Sequence, residues 1–355
     1  MPILSFFPMQ CMIKVFFIFL IITLNFTFAK LNAEIGDLND KGIISIMYHR
    51  FEENKYPSTN IKLIDFKKHL DLVYEKDIYF INPSNIENEL NINQSKKKVL
   101  LTIDDGYSSF YNKAWPILKE KKIPFILFIS TREVGKNGYM SWDEIREIHN
   151  SKIGIIGNHS HSHDYLIDFE KKKVKDDLLT SKKIFEEELG KNPIFFSYPF
   201  GEYSKYLKEL VKQQGFKYAF GQHSGVIDNT KSYYELPRFP INEKYGTMKR
   251  FNSILNTLPF KFENIEPEEK YIINNNPPNV KIKLLENTYA VNKVNCFSNE
   301  EDKWRNSNIN FISKNEIEIL LDGKFVTERG RINCSLRENS GEWRWLGIQF
   351  VISNL

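Results

Sequence analysis

Hydrophobic runs alternate with amphipathic segments between residues 41 and 240, and this alternation predicts strands followed by helices. The strand-like runs lie at 42–49, 98–105, 124–130, 153–159, 193–201 and 218–225. Apolar residues recur at helical spacing between them, at 63–77, 111–122, 141–150, 172–190 and 203–215. Repeated strand–helix units indicate a parallel sheet, either open or closed into a barrel. In such folds the functional side chains lie at the carboxyl ends of the strands.

The pattern changes after residue 256. Segment 256–278 is polar and rich in proline and asparagine, which is typical of a linker. Beyond it, short hydrophobic runs separated by turn signals lie at 280–286, 309–323, 330–336 and 343–352. These runs predict a small β-rich, sandwich-like domain. We therefore expect a first domain over 40–255, a linker over 256–278 and a β-rich domain over 279–355.

The N-terminus has the order of a secretory signal. Lys14 precedes an uncharged apolar run, and small residues follow at Ala29 and Ala33. The apolar run is shorter than the roughly 20 residues that a membrane-spanning helix needs. We therefore predict a signal peptide over 1–29, cleaved near Ala29 or Ala33, with a permanent anchor as the alternative. Cleavage would leave no permanent membrane span and a secreted or periplasmic protein.

Charge and cysteine content narrow the classes of partner and compartment. A net charge of +4 over 355 residues gives no reason to expect a nucleic-acid partner or a polybasic membrane surface. Of the three cysteines, Cys11 lies in the predicted signal, and Cys296 and Cys334 remain. Two cysteines in an exported chain predict one disulfide, with two buried free thiols as the alternative.

Carboxylates and imidazoles follow two of the predicted strands. Asp104 and Asp105 end the run 98–105, and three of the seven histidines, His159, His161 and His163, end the run 153–159. One carboxylate and two imidazoles with an open fourth position form a hydrolytic zinc site. Neighbouring residues at a strand end point in different directions. One aspartate can therefore bind the metal while the other acts as a general base on its water.

Two pairings of the histidines are open. His159 and His163 share a face if the chain turns helically after the strand. His159 and His161 share a face if the chain stays extended. Asp164 and the helix pattern after it favour the turn, and therefore the first pairing.

Three motifs carry a resemblance to a known family. "TIDDG", "HSHSH" and "YPFG" occur in the order and approximate spacing of the NodB-homology polysaccharide deacetylases, carbohydrate esterase family 4. The resemblance covers about residues 42–245 and is greatest to the branch acting on poly-β-1,6-N-acetylglucosamine. It implies a distorted, incomplete (β/α) barrel, followed here by the β-rich domain. It also implies hydrolytic N-deacetylation of an acetylated amino-sugar polymer, so an acetylated glycan is the expected substrate.

The resemblance also implies roles for single residues. Asp104 becomes the catalytic base, and Asp105, His159 and His163 become ligands of one divalent metal ion. Zinc is the expected metal, with cobalt, nickel or iron as alternatives. The backbone N–H of Phe200 matches the family's oxyanion donor.

The chain departs from the family pattern at the arginine and at the general acid. The family often has an arginine shortly before the "YPFG" position. Here Arg238 is the candidate from another strand, unless it forms only a structural ion pair. The late leucine-x-histidine element is absent, so His223 is the candidate proton donor, with a loop histidine as the alternative. His49 is expected to line the pocket, and Tyr198 either stacks on a sugar or packs in the core.

Other functions remain as alternatives. A catalytically weak scaffold would bind glycan in polysaccharide export, where the export machinery would be a further partner. An amidohydrolase-type hydrolase would need H-x-H after the first strand and further ligands downstream. Trp343 and Trp345 lie two apart on one predicted strand, where they form either a sugar platform or part of the core.

Overall fold

The computed structural model describes residues 41–92, 96–285 and 291–353, so the predicted signal peptide lies outside the described residues. The strands up to residue 240 are β1 (Ile43–Tyr48), β2 (Arg50–Phe51), β3 (Asn60–Ile61), β4 (Tyr79–Phe80), β5 (Lys98–Ile103), β6 (Phe125–Ile129), β7 (Gly154–Asn158), β8 (Phe195–Ser197), β9 (Tyr218–Phe220), β10 (Val226–Ile227) and β11 (Phe239–Pro240). The helices are α1 (Leu63–Glu75), α2 (Ile86–Asn91), α3 (Trp115–Lys121), α4 (Trp142–Ser151), α5 (Lys171–Leu189), α6 (Lys205–Gln213) and α7 (Met248–Leu255).

The predicted alternation of strands and helices is confirmed. Helix starts and ends follow local chemistry: Ser141 and Glu144 form a capping box at α4, and Gly190 ends α5 with a φ of 68°. The helix expected over 111–122 is instead a π-helical turn, Phe110–Ala114, followed by α3. Pro116 has no N–H to donate to the residue four positions back, which opens the helical hydrogen-bond pattern there.

The first sheet has the strand order β10-β1-β5-β6-β7-β8-β9, with β4 on β5 and β11 on β1. All neighbours in it are parallel except β10, which runs antiparallel to β1. The segment from Leu236 to Pro240 bridges its two edges. Leu236 exchanges backbone hydrogen bonds with Ala219 and Gly221, and Phe239 then pairs with Ile46 of β1. The expected incomplete barrel is therefore confirmed.

Strand alternation divides the core of this barrel. Ile43, Leu100, Phe128, Phe195 and Phe220 form an inner cluster. The alternate positions of the same strands pack outward against α1, α3, α4 and α7, or against α5 and α6. Because parity along a strand fixes the face, Thr102 and Asp104 continue the inner face beyond Leu100.

The remaining strands are β12 (Thr257–Pro259), β13 (Phe262–Glu266), β14 (Tyr271–Ile272), β15 (Val280–Leu284), β16 (Asn295–Glu300), β17 (Lys303–Phe311), β18 (Glu316–Leu320), β19 (Arg329–Arg337) and β20 (Trp343–Ile352). They form a second sheet with the order β12-β20-β19-β16-β17-β18-β15-β13, in which β14 also pairs with β20. The C-terminal region is thus strand-rich, as expected. Strand β17 pairs with β16 through its first half and with β18 through its second half.

The segment 256–278, expected as a linker, contributes strands β12, β13 and β14 to this sheet. Strand β12 lies parallel to β20, pairing Thr257 with Trp343, so the chain enters the second sheet directly after α7. The proline and asparagine content that suggested a linker marks the loop after β14 rather than the whole segment. The division into domains at 255 and 279 stays a prediction.

The disulfide between Cys296 and Cys334 is confirmed. The two residues lie directly opposite each other on β16 and β19, 38 positions apart in the chain. The bond closes a loop through the centre of the second sheet, which restricts the unfolded chain.

We expect the double variant C296S/C334S to lose about 4 kcal/mol of unfolding free energy, the loop-closure estimate for this separation. Urea unfolding followed by tryptophan fluorescence measures the loss. Wild-type protein unfolded in a reducing agent is the matched control and should show the same midpoint as the variant. An unchanged midpoint in the variant would contradict a stabilising role for the bond.

Candidate active site

Asp104 and Asp105 separate at the end of β5 because the backbone turns between them. The N–H of Asp104 donates to the carbonyl of Tyr48, which keeps Asp104 on the strand and its side chain on the inner face. Asp105 and Gly106 then adopt left-handed φ values of 74° and 71°. The positive φ of Gly106 favours glycine at this turn, and a Cβ there would also press on Cδ1 of Ile129, 2.6 Å away. The expected divergence of the two carboxylates is observed.

Asp104 is held by Arg238, and neither side chain is exposed to solvent. Nη1 of Arg238 donates to Oδ1 of Asp104 at 2.7 Å, and Nη2 donates to Oδ2 at 2.9 Å. Nη2 also donates to Oγ of Ser197 at 2.8 Å, and that hydroxyl donates to Oδ2 of Asp104 at 3.3 Å. Burial alone would raise the pKa of Asp104. The charge and hydrogen bonds of Arg238 outweigh it, so the pKa is lowered and the carboxylate stays ionised.

The histidine loop brings His159 and His163 together at Asp105 and directs His161 elsewhere. Nε2 of His159 lies 3.3 Å from Oδ1 of Asp105, and Nε2 of His163 lies 3.1 Å from the same oxygen. Nδ1 of His159 donates to the carbonyl of Ser197 at 2.7 Å, which leaves Nε2 as the unprotonated nitrogen in the neutral ring. His161 instead hydrogen-bonds Oγ1 of Thr131 through Nδ1.

The loop achieves this pairing without a helical turn. Ser160 and His163 have left-handed φ values of 68° and 54°, so the backbone changes direction at both residues. Asp177 of α5 accepts hydrogen bonds from the N–H groups of His161 and Ser162, at 2.8 and 3.0 Å. The pairing favoured from the sequence is therefore present, but a loop held by α5 produces it.

Asp105, His159 and His163 have the donor set and spacing of a divalent-metal site. Their ligand atoms all lie within 4.8 Å of one another. Burial would raise the pKa of Asp105, but the two imidazoles lower it well below its usual value, so the carboxylate is a charged ligand. One carboxylate oxygen and two imidazole nitrogens suit zinc or a similar ion, so the residues present fit a metal.

These three residues open into a cavity of about 540 Å³. His49, Phe200 and His223 lie on its wall, and their predicted roles in the reaction stay predictions. Phe200 stacks on Tyr165 with ring centroids 4.1 Å apart and meets His163 edge-on. The other wall comes from the second sheet and includes Trp304, Arg329, Arg331, Asn333, Trp345 and Gln349.

Tyr198 does not reach this cavity. Of the two predictions made for it, stacking on a sugar is wrong and packing in the core is observed. It is fully buried, packs with Phe196 against the α5 and α6 helices, and donates its hydroxyl to the carbonyl of Tyr234. Strand parity is the reason. Ser197 occupies the inner face of β8, so its neighbours on either side point outward.

His223 lies on the cavity wall with a buried Nδ1 that has no hydrogen-bond partner among the described residues. Burial, together with the charges of Lys270 and Lys231, lowers the pKa of His223 to about 3. The ring is therefore neutral at pH 7. Burial likewise lowers the pKa of His49, against the opposing charges of Asp105 and Asp104.

Sequence reasoning missed several residues of the site. Tyr107 directly follows "TIDDG", so the sequence "DDGY" could have indicated it, and Ser197 directly precedes "YPFG". Trp304, Arg331 and Asn333 gave no signal, because strand pairing brings them from more than 60 residues beyond Arg238.

Comparisons with known proteins agree with this geometry. Residues 91–219 match the family model described as polysaccharide deacetylase. A putative polysaccharide deacetylase YxkH of Bacillus subtilis strain 168 is 23% identical over 201 residues, which is 56% of this chain and 70% of that protein. The poly-β-1,6-N-acetyl-D-glucosamine N-deacetylase of Staphylococcus aureus strain MSSA476 is 29% identical over 164 residues. That match covers 42% of this chain and only 56% of the enzyme.

Solved structures show the same fold. The structure of IcaB from Ammonifex degensii is 25% identical, with a TM-score of 0.55 over 61% of this chain and 97% of that chain. The Streptococcus pyogenes deacetylase PplD, solved with acetate, is 21% identical with a TM-score of 0.55, over 60% of this chain and 98% of that one. Residues 91–219 thus match the polysaccharide deacetylases, which are hydrolases of amide bonds, and the first sheet with its helices has the fold of the solved deacetylase structures.

Proposed function

We propose that this protein is an exported, metal-dependent N-deacetylase of acetylated amino-sugar polymers. The observation that carries the proposal is the buried Arg238–Asp104 pair beside the Asp105, His159 and His163 cluster. An ionised base next to a metal-ligand set is what amide hydrolysis by water requires. The proposed substrate class is that of the similar poly-β-1,6-N-acetyl-D-glucosamine N-deacetylases of S. aureus.

In this proposal Asp105, His159 and His163 hold one divalent ion, zinc in the first instance. Such an ion supplies Lewis acidity, which lowers the pKa of a nearby water and polarises a carbonyl. Ser197 orients His159 through its carbonyl, which fixes the ring nitrogen that faces Asp105.

Asp104 is the proposed base. Its Oδ2 lies 3.9 Å from Nε2 of His159, at the floor of the metal-ligand cluster. The carboxylate takes the proton of the attacking water, and Arg238 keeps it ionised beforehand and positioned throughout. Arg238 thus supplies the orienting charge that the segment before "YPFG" lacks, which makes it a positioning residue.

Three further residues of the pocket are proposed to contact the reacting groups. The backbone N–H of Phe200 is proposed to donate to the oxyanion, and His49 to line the acetyl group. His223 is proposed to pass a proton to the leaving amine. Because its ring is neutral at pH 7, it must first take up a proton, balanced by the one that Asp104 removes from the attacking water, and then donate that proton to the amine.

Export is supported by the signal-like N-terminus and by the disulfide between Cys296 and Cys334. No helix among residues 41–92, 96–285 and 291–353 is long and apolar enough to cross a bilayer. A partnership with polysaccharide export machinery stays a prediction, as does a purely glycan-binding role. The amidohydrolase alternative has no support in the described residues, where a single three-residue cluster of metal-ligand type occurs.

We expect purified protein with added Zn²⁺ or Co²⁺ to release acetate from N-acetylglucosamine oligomers, and D104N to reduce the rate at least about 100-fold. The substitution removes the proton acceptor and keeps the shape of the side chain. An enzymatic acetate assay measures the rate, and metal analysis should show that D104N still binds metal. Full activity in D104N would overturn the mechanism, and absence of acetate release by the wild type would favour the scaffold alternative.

Metal content tests which of the two histidines, His163 or His161, is a metal ligand. We expect wild-type protein and H161A to hold about one bound ion per chain, and H163A to hold almost none, because three ligands are the minimum for such a site. Inductively coupled plasma mass spectrometry after dialysis measures the content. H161A is the matched control from the same loop. Loss of metal in H161A with retention in H163A would reverse the assignment.

Arg238 variants test how the base is kept ionised. Arg238 lowers the pKa of Asp104. Without Arg238, burial raises that pKa, so during acidification Asp104 becomes protonated, and the enzyme inactive, at a higher pH than in the wild type. We therefore expect the acidic limb of kcat/KM to move to higher pH in R238Q and to move less in R238K. Breaking the buried pair also costs roughly 3–5 kcal/mol of stability, so R238K is the variant for use if R238Q does not fold. An unchanged pH profile in a folded variant would show that Arg238 has only a structural role.

A further inference from the structure

One face of the second sheet is polar and aromatic across four strands. Directly paired residues of neighbouring strands lie on the same face, so the register defines its members. Phe297 of β16 pairs with Asn306 of β17 and with Asn333 of β19. Extending these pairs by strand alternation gives the face as Asn295, Phe297, Asn299, Trp304, Asn306, Asn308, Arg331, Asn333, Ser335, Arg337, Trp343, Trp345 and Gln349.

The opposite face of these strands is the core of the second sheet. The alternate residues, including Cys296, Cys334, Ile332 and Ile348, are buried in one cluster. Three aromatic residues of the polar face are outside that core: Phe297 is 41% exposed, Trp343 43% and Trp304 54%. The fourth, Trp345, is partly buried against the core of the first sheet. Packing therefore does not account for the large rings at these three positions, which share one continuous face rather than being scattered singly over the surface.

This face continues into the cavity of the candidate active site. Trp304, Arg331, Asn333 and Trp345 line the same cavity as Asp105 and the two clustered histidines. At the far end, Asn295, Arg337 and Trp343 line a second, shallower hollow. From Trp343 to Gln349 along β20 the face extends for roughly 20 Å, longer than one sugar ring.

Trp345 provides an independent sign of a ligand. Its indole Nε1 is buried on the cavity wall and has no hydrogen-bond partner among the described residues. A buried donor without a partner costs free energy, so such a group in a cavity is suited to a ligand oxygen. His49 and His223 also have buried nitrogens without a hydrogen-bond partner among the described residues, and they line the same cavity. Both walls of the cavity therefore offer polar groups that a ligand could satisfy.

We propose that this face of the second sheet binds the acetylated amino-sugar polymer and leads it to the metal-ligand cluster, with Trp345 as the contact nearest the reacting sugar. The inference rests on the proposed function, since it names the binding surface of that same site. Aromatic rings offer flat apolar surfaces to sugar rings, and asparagine amides donate to and accept from hydroxyl and acetyl groups.

The charges on the face favour the acetylated polymer over the deacetylated product. Arg331 and Arg337 have no carboxylate partner among the described residues, and a guanidinium only donates hydrogen bonds. Both can donate to acetyl carbonyl or hydroxyl oxygens. The free amine left by deacetylation is a cation and would be repelled by them.

Chain-length dependence tests the proposal. We expect W343A and W304A to lower the ratio of kcat/KM for an N-acetylglucosamine hexamer to that for the dimer about tenfold, the usual scale for losing an aromatic contact. F311A is the matched control, because Phe311 is an exposed aromatic residue on β17 that lies on the other face. Its ratio should equal that of the wild type. Equal effects of F311A and W343A, or an unchanged ratio in W343A and W304A, would overturn the proposal.

A binding measurement separates this inference from the proposed function. Calorimetric titration of D104N with the acetylated hexamer should give an affinity that W343A in the same background lowers about tenfold, and the fully deacetylated hexamer should bind more weakly. Hexamer binding that depends on Trp343 would support the surface even if no acetate is released. If the wild type releases acetate but W343A does not change hexamer binding, the proposed deacetylase function stands and the proposed binding surface is overturned.

Discussion

The buried ion pair between Arg238 and Asp104 is the interaction on which the rest of the site depends. Both side chains are fully buried, and the guanidinium binds both carboxylate oxygens. A single buried charge here would be severely destabilising, so each residue requires the other. Arg238 lies on the segment that bridges the two edges of the first sheet, between Leu236 beside β9 and Phe239 beside β1. The ion pair therefore ties this bridging segment to the end of β5, and the same contact keeps the proposed base ionised.

Strand parity then decides which side chains surround that pair. Leu100, Thr102 and Asp104 follow one another on the inner face of β5, and Phe195 and Ser197 do so on β8. The apolar members fill the barrel, and the polar members lie at its carboxyl end beside the guanidinium. The Cζ atom of Arg238 lies 5.5 Å from the ring centre of Phe128, so the ion pair directly covers the inner core. This order explains why the side chain of Tyr198, one position beyond Ser197, belongs to the helix layer.

Sequence patterns predicted the strands, the helices and the residues of the metal-ligand cluster, because these depend on local periodicity and short motifs. Three features depend on contacts that no local pattern encodes. Arg238 reaches Asp104 across 134 positions, and only the closing segment of the barrel brings it there. The approach of His163 to Asp105 depends on left-handed residues held by Asp177 of the next helix. Strands β12 to β14 were hidden because the polar segment 256–278 pairs at the margins of the sheet.

The second sheet also contacts the loop between β9 and β10, which carries His223. The N–H of Gly347 on β20 donates to the carbonyl of Ser224 at 2.6 Å, and Gly225 forms a bridge with Leu346. A Cβ at Gly347 would lie 2.6 Å from backbone atoms of Ser224, so the close approach of the two backbones requires glycine. His223, on the cavity wall, directly precedes this contact, and its carbonyl also accepts from the N–H of Arg238, so its backbone is fixed from both sides. The second sheet thus acts on the proposed proton donor through the backbone, in addition to forming a wall of the cavity.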